Sequence, residues 1–502
     1  MSSRDYCGLR AWRGSAFAAL LSASALLSAH AALAADSVTV GGNTYINRGL
    51  VGVGRLPGDL RDKFGETFGS GSGMALDTAS WRLTPTGYQG TFYVLPDRGY
   101  NIGGTTDYRS RVNKLDITFT PLADPSAIPV AERQKSVAAT LSDTILLTEP
   151  AGEPMTGLDP IENGIRRAAN GFPDLPQAPN GRLSIDAESL ALLPDGSFFI
   201  GDEYGPYVYR FAPTGRLLAA MRPPEAFLPR RNGRDHFSSN NPGPGMPEPV
   251  PPNPDTGRQN NQGFEGLSLT PDGKFLIVAL QSATRQDGGN APETRRYSRL
   301  LYYDLADLGR PRLVREHVLP LPVFDTADGK RRVAAQSELF ALSETRLLLL
   351  CRDAGNGYGM DGTTSRYRSV ELIDTTQATN IAGMVYDATV PVAPGGKLAE
   401  GIVPATLTPF IDLNDNAQLN KFGLHNGEPN DRNNLSEKWE GMALAPALDP
   451  ASPNDYLLLI TNDNDFITQN GYQVGAPYKD ASGGDVDTML LVYRITLPGQ
   501  LK

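Results

Sequence analysis

The chain has 502 residues, a formal net charge of −10 and two cysteines. That acidic balance argues against nucleic acid or an anionic membrane surface as partner and is compatible with cation binding. The length supplies a large core without disulfides, and if Cys7 leaves with a leader, Cys351 has no intramolecular partner and reads as a small buried hydrophobe in the strand RLLLLC.

Taken in order, Arg4, Arg10 and Arg13 precede an Ala-, Leu- and Ser-rich run from Gly14 to Ala34 that ends in small residues before Asp36. This pattern is a secretory signal over residues 1–34, leaving residues 35–502 as one domain, periplasmic or secreted, with no membrane span after cleavage. Nothing in the sequence sets the oligomeric state. VTV near Val38 and GLVGVG near Gly49 are strand candidates able to pair with the other end of the chain.

The first clear unit is GSGMALDTASWRLTPTGYQGTFYVLPDRG, from Gly73 to Asp97, with an exit strand from Arg111. After a loop-like stretch from Ala151 to Arg182 comes DAESLALLPDGSFFIGDEYGPYVYRF, beginning at Asp186. Its Pro194-Asp195-Gly196 turn folds LALL back on SFFIG, so an antiparallel hairpin returns Asp202 and Glu203 to the edge where Glu188 began. The same grammar recurs at Glu265 with its return at Gln281, at Glu338 with Asp353, and at Glu440 with Asp463. Exit strands follow from Tyr207, Arg299, Arg366 and Met489, and long polar loops, Pro223 to Gly263 and Asp412 to Lys438, precede the second and last Glu units.

Short sheets that recur at intervals of 77, 73 and 102 residues between their glutamates cannot bury both faces alone. The expected fold is therefore all-β, a β-propeller of four-stranded antiparallel blades. Five units are read directly and the length accommodates six, so six blades are favoured, with five or seven allowed.

In a propeller the first strand of each blade lines the central channel, which would gather Glu188, Glu265, Glu338 and Glu440 at one mouth with Asp97, Asp202, Glu203, Asp353, Asp463 and Asp465. So many carboxylates repel unless neutralised, and oxygen-only donors suit Ca²⁺. The metal set expected is Glu188, Asp202, Glu265, Glu338, Asp353, Glu440 and Asp463. His236, His317 and His425 are scattered and form no zinc pattern. Arg98 and Arg352 are candidates to hold an anionic substrate with Tyr204, and Glu188, Asp202, Glu203 and Arg352 are the expected catalytic group. The bland alternative for each repeated Glu is a corner acceptor of backbone hydrogen bonds, and for each Arg a pair with the acid beside it. No nucleophile elbow is present, since GSGSG centres on Gly71.

The strings DEYGP, FEGLSLTPDG, ELFALSETRLLLLCRD and WEGMAL resemble the phytase-like domain family described as having esterase-like activity, found in exported bacterial proteins. The resemblance covers about Gly49 to Leu497 and implies a β-propeller with repeated Glu and Asp and a phosphoesterase role. The function expected is thus a calcium-dependent hydrolase acting on a small-molecule phosphoester. The alternatives are a Ca²⁺-dependent lactonase or carboxylesterase and a non-catalytic ligand- or protein-binding propeller.

Overall fold

The repeated hairpins form because their turns are chemically specified. In Pro194-Asp195-Gly196 the Asp195 carboxylate accepts from the Ser197 amide at 2.9 Å, and Gly196 takes φ +80°, a conformation that a side chain disfavours. Gly273, in the corresponding Pro271-Asp272-Gly273 turn, takes φ +69°. The apolar runs that flank such turns, for example Arg346–Arg352, are buried almost throughout, which is the signature of a strand covered on both faces.

The computed structural model describes residues 36–122, 124–388 and 390–501; the expected leader lies outside them. Within these residues the strands form five antiparallel four-strand paths. The first runs Gly73–Leu76, Gly87–Leu95, Arg111–Phe119, Val137–Leu146. The second runs Ala187–Leu192, Phe198–Asp202, Val208–Phe211, Leu217–Met221. The third runs Phe264–Leu269, Phe275–Leu280, Tyr297–Asp304, Arg312–Pro320, and the fourth Ala335–Ala341, Arg346–Arg352, Arg368–Asp374, Thr406–Asp412. The fifth joins Lys438–Pro446, Asp455–Asp463 and Thr488–Thr496 to the N-terminal strand Asn43–Leu56. A single parallel bridge between Gly54 and Val137 links the fifth path to the first in one continuous sheet.

Five hydrophobic cores lie between successive paths, and the fifth, with Met74, Phe92 and Leu115 against Ala443, Leu459 and Val492, closes last onto first. The innermost strands pack side by side around an axis, where Met74, Leu190, Leu267, Leu339 and Met442 line an apolar channel of about 170 Å³. The result is a nearly all-β, propeller-like array, with α-helix confined among the described residues to two four-residue segments. Pairing of the N-terminal strand with the last one removes the open edge that a linear array would leave. A sixth path is not present among the described residues. The length that allowed for one lies in long loops that carry only short hairpins, such as Arg230–Arg231 with Arg234–Asp235. No helix among the described residues is long and apolar enough to cross a membrane.

Candidate functional site

Four of the five inner strands enter the ring through a break in register. In the second, third and fifth paths the ladder skips Glu188, Glu265 and Glu440, leaving each unpaired in a bulge. A bulge of this kind re-aims one side chain, and here it serves a carboxylate. The residue after the bulge must lie close to the next strand: a Cβ on Gly441 would stand 2.6 Å from Thr461 Cγ2 and 2.9 Å from the Gly71 carbonyl. This accounts for the recurring Glu-Gly pair.

Register through the hairpins places the four expected glutamates in two different rows. In the fourth path the skipped residue is Ser337, and Glu338 stands where the others have Gly266, Ser189 or Gly441. The Glu338 carboxylate accepts from the backbone amides of Leu267 at 3.0 Å and Leu339 at 2.9 Å, which ties the third and fourth inner strands together. Counting from the paired strand, the residues that face the bulged row are Asp97, Glu203, Gln281, Arg352 and Asp463.

The acids that converge form an arc. Carboxylate oxygens of Glu188 lie within 4.8 Å of those of Asp97 and Asp186 on one side, and of Glu203 and Glu265 on the other. Asp97 is likewise grouped with Asp463 and Asp465. Three cations are set among them. Arg98 donates to Asp186 at 2.6 Å, Arg352 to Glu440, and Lys438 to Asp465 and, at 3.4 Å, to Asp463. Eight acids thus face three bases.

The remaining contacts are sparse. Gln281 donates to Glu265 Oε1 at 2.6 Å, and Glu203 accepts from the Gly263 amide at 3.0 Å. Asp186 Oδ1, Glu265 Oε2 and Glu440 Oε2 are buried without any hydrogen-bond partner. Leaving charged oxygens buried and unpaired is costly. The acids respond accordingly: burial, reinforced by Glu265, holds Glu188 well above the usual carboxylate range, and burial with Asp463 does the same to Asp97. Burial raises Glu265 likewise, and it pushes Asp186 up to about 6 against the pull of Arg98. Burial alone would lower Lys438, but Asp465 and Asp463 overcome it and hold the amine charged.

Several expected residues stand outside this arc. Asp202 is fully buried and both its oxygens are used by the backbone amides of Asp186, Tyr204 and Gly205, at 2.7 to 3.1 Å, so it braces the strand end. Asp353 accepts from Ser365 Oγ and the Arg366 amide, each at 2.7 Å, and belongs to a neighbouring loop. Tyr204 is buried, its hydroxyl donating to the Gly157 carbonyl at 2.7 Å. Arg98 and Arg352 reach the mouth, though each pairs with an acid of the next path and not with its sequence neighbour. Asp186 and Lys438 join the site as residues that the glutamate repeat did not single out. Each lies two positions before its bulged Glu, and matching hairpin partners residue by residue would have found both.

The long loops are ordered over this rim. Asp159 accepts from the amides of Ser239 and Asn241, and Thr105 Oγ1 accepts from the Asp159 amide, which sews three loops together. The described histidines are engaged elsewhere, His317 with the Thr379 carbonyl and His425 with Asp431. The arc can therefore offer hard oxygen ligands, a protonatable carboxyl and paired cations.

Comparison with known proteins adds the following. The Phytase-like family model, described as esterase-like activity of phytase, matches residues 66–466. A relative from Arthroderma benhamiae, described as an uncharacterized secreted protein, is 40% identical over 461 residues, covering 86% of this chain and 89% of its own. That relative is fungal, so the expected restriction to bacterial proteins is not supported. Among solved structures, a luciferin-regenerating enzyme aligns over 86% of this chain and 95% of its own at 10% identity and a TM-score of 0.24. The WD40 domain of Toxoplasma gondii coronin aligns over 89% and 87% at 10% identity and a TM-score of 0.25. Scores this low carry no argument about fold or chemistry.

Proposed function

The chain belongs to the Phytase-like family, and we propose that it is an exported calcium-dependent hydrolase of phosphoric esters, built as a five-bladed propeller with the acid arc as its active site. The observation that carries this reading is the set of buried, unpartnered oxygens on Asp186, Glu265 and Glu440 beside Asp97, Glu188 and Glu203. They fit a hard cation, because all donors are oxygen and the excess of acid over base needs positive charge. The five closed cores support the blade count.

Asp97, Asp186 and Glu188 would hold one Ca²⁺, and Glu203 and Glu265, sharing Glu188, would hold a second. Bound there, Ca²⁺ supplies charge stabilisation for a phosphoryl group and a more acidic water. The chain's own residues do the rest. Arg98 and Arg352 each commit one guanidinium nitrogen to a carboxylate and keep Nε without a partner, so they orient the acids while presenting positive charge to an anion. Glu188, held above the usual carboxylate range in the metal-free chain, lies at the junction of the two acid groups and would give up its proton on binding the cation.

The test is hydrolysis of a panel of phosphomonoesters, phosphodiesters, phytate and lactones, with Ca²⁺ and with chelator. Calcium-dependent phosphate release that is lost in Glu188→Gln supports the proposal. Metal-free protein whose activity ignores chelation would sink it, release confined to lactones would replace it with a lactonase, and silence with metal bound would leave a binding propeller.

A further inference from the structure

Arg312–Pro320 is the outermost strand of the third path, and its free edge is covered by a loop that the fourth path sends out between Arg368–Asp374 and Thr406–Asp412. Asn380 Oδ1 accepts from the Glu316 amide at 2.9 Å, and the Ile381 amide donates to the Glu316 carbonyl at 2.8 Å. The Thr379 carbonyl meets His317 Nδ1 at 3.0 Å. An edge left bare would be open to pairing with another chain.

Beneath this cover the Glu316 side chain is fully buried. One nitrogen of Arg299 donates both to Glu316 Oε1, at 2.7 Å, and to the Tyr386 carbonyl of the loop, at 2.9 Å. The next loop residue, Asp387, comes within hydrogen-bonding reach of the Glu316 carboxyl. Asp387 Oδ2 is used by the Gly383 amide at 2.7 Å. That leaves Glu316 Oε2 and Asp387 Oδ1, both buried and neither with a donor. Two ionised carboxylates only accept, so they repel at such a contact, whereas one proton satisfies both oxygens.

The surroundings supply no second base. Arg299 is committed also to Asp287, at 2.7 Å, with the Phe227 ring 5.6 Å away. Tyr303 keeps its hydroxyl buried without a partner, His317 is engaged with Thr379, and nearby Glu225 is held by Arg222 and Arg230. Asp287, Glu316 and Asp387 thus stand around one guanidinium. Burial, opposed by Arg299 and reinforced by Asp387, pushes Glu316 up to about 7.

We infer that Glu316 and Asp387 share a proton that latches the segment Thr379–Asp387 over the edge of Arg312–Pro320, and that losing this proton releases the segment. The folded value of Glu316 lies above the ordinary one, so the latch contributes fully below about pH 4 and is lost as pH rises through about 7. It is independent of the hydrolytic reaction.

The test is hydrogen–deuterium exchange of the full chain in metal-free buffer, read on peptides covering residues 379–388 and corrected for the intrinsic effect of pH on exchange. Protection there should fall roughly tenfold between about pH 6 and about pH 8.5, while the strand Phe198–Asp202 stays protected. Glu316→Gln puts an amide donor where the proton sits and keeps an oxygen for Arg299, so it should hold the segment closed at both pH values. Because Glu316 is fully buried, half-buried Asp387→Asn serves as a second variant. Its amide can donate to ionised Glu316 and should likewise flatten the pH profile. Wild-type protection that ignores pH, a loss shared equally by Phe198–Asp202, or a wild-type pH profile in both variants would overturn the inference. Protection lowered at both pH values in both variants would do the same, since it would mark a contact that needs no shared proton.

Discussion

Arg98 donates to Asp186 at 2.6 Å across the seam between the first and second paths, and the second oxygen of Asp186 is left buried with no partner. One residue therefore both holds two sheets together and keeps half of its charge in reserve. Arg98→Ala would strand the carboxylate and should cost about 3–5 kcal/mol in urea unfolding, whereas Asp186→Asn should cost less because the amide oxygen can still accept from Arg98, whose charge Asp97 and Glu203 also offset. A loss below about 1 kcal/mol in Arg98→Ala would contradict a desolvated pair.

The two rows of glutamate should separate in calcium titrations. Glu188→Gln and Glu265→Gln, in the arc, are expected to lower Ca²⁺ affinity at least tenfold. Glu338→Gln keeps a carbonyl oxygen for the Leu267 and Leu339 amides and should leave affinity within about twofold. Calorimetry on the three variants decides this, and equal effects would return Glu338 to the site.

Calcium should stabilise the fold more at high pH than at low. Asp186 is pushed up to about 6, chiefly by burial, with Arg98 pulling down, Glu203 pushing up, and Glu188 and Lys438 both lowering it. That folded value lies above the ordinary one, so its contribution is full below about pH 4 and is lost as pH rises through about 6. The metal-free chain is weakened over that window, and a cation that prefers ionised acids offsets the loss. The rise in Tm on adding Ca²⁺ should be larger at about pH 8 than at about pH 5; the reverse order would contradict buried protonated acids.

Gly441→Ala should destabilise by roughly 1–3 kcal/mol. Thr461 could turn away from the new methyl, but the Gly71 carbonyl at 2.9 Å belongs to the adjoining backbone and must move. Urea unfolding midpoints measure it, and a neutral result would show that the inner strands are not in contact at this level.

Cys351 should resist thiol reagents until the chain unfolds. It is fully buried, and burial raises its thiol well above the ordinary value, so thiolate is scarce. Labelling of the folded protein at the rate of a free thiol would refute this.

Much of the local fold was legible in particular residues. Pro194-Asp195-Gly196 and Pro271-Asp272-Gly273 announced their turns, and the N-terminal strand candidate at Gly49 does pair with the strand that ends at Thr496. The register at the mouth was not legible to within one residue. Glu338 looks equivalent to Glu265 by its neighbours, yet the ladder skips Ser337 in its place. Asp202 and Glu203 are adjacent, but one braces the backbone and the other faces the arc, because successive strand side chains point opposite ways. The meeting of Glu316 and Asp387 was invisible, since one lies on a strand of the third path and the other in a loop of the fourth.

By itself the sequence determined the hairpins, the apolar strands between them and the supply of acids. Turn dihedrals and strand burial patterns depend on residues a few positions apart. Only the tertiary structure decided how the last strands meet the first, which carboxylates meet, and which cation each one finds. The physical reason is that strand side chains alternate with a period of two, so a one-residue bulge reverses which of them face the channel. The partners of Asp186 and Glu440 come from neighbouring sheets, and those are adjacent only after closure.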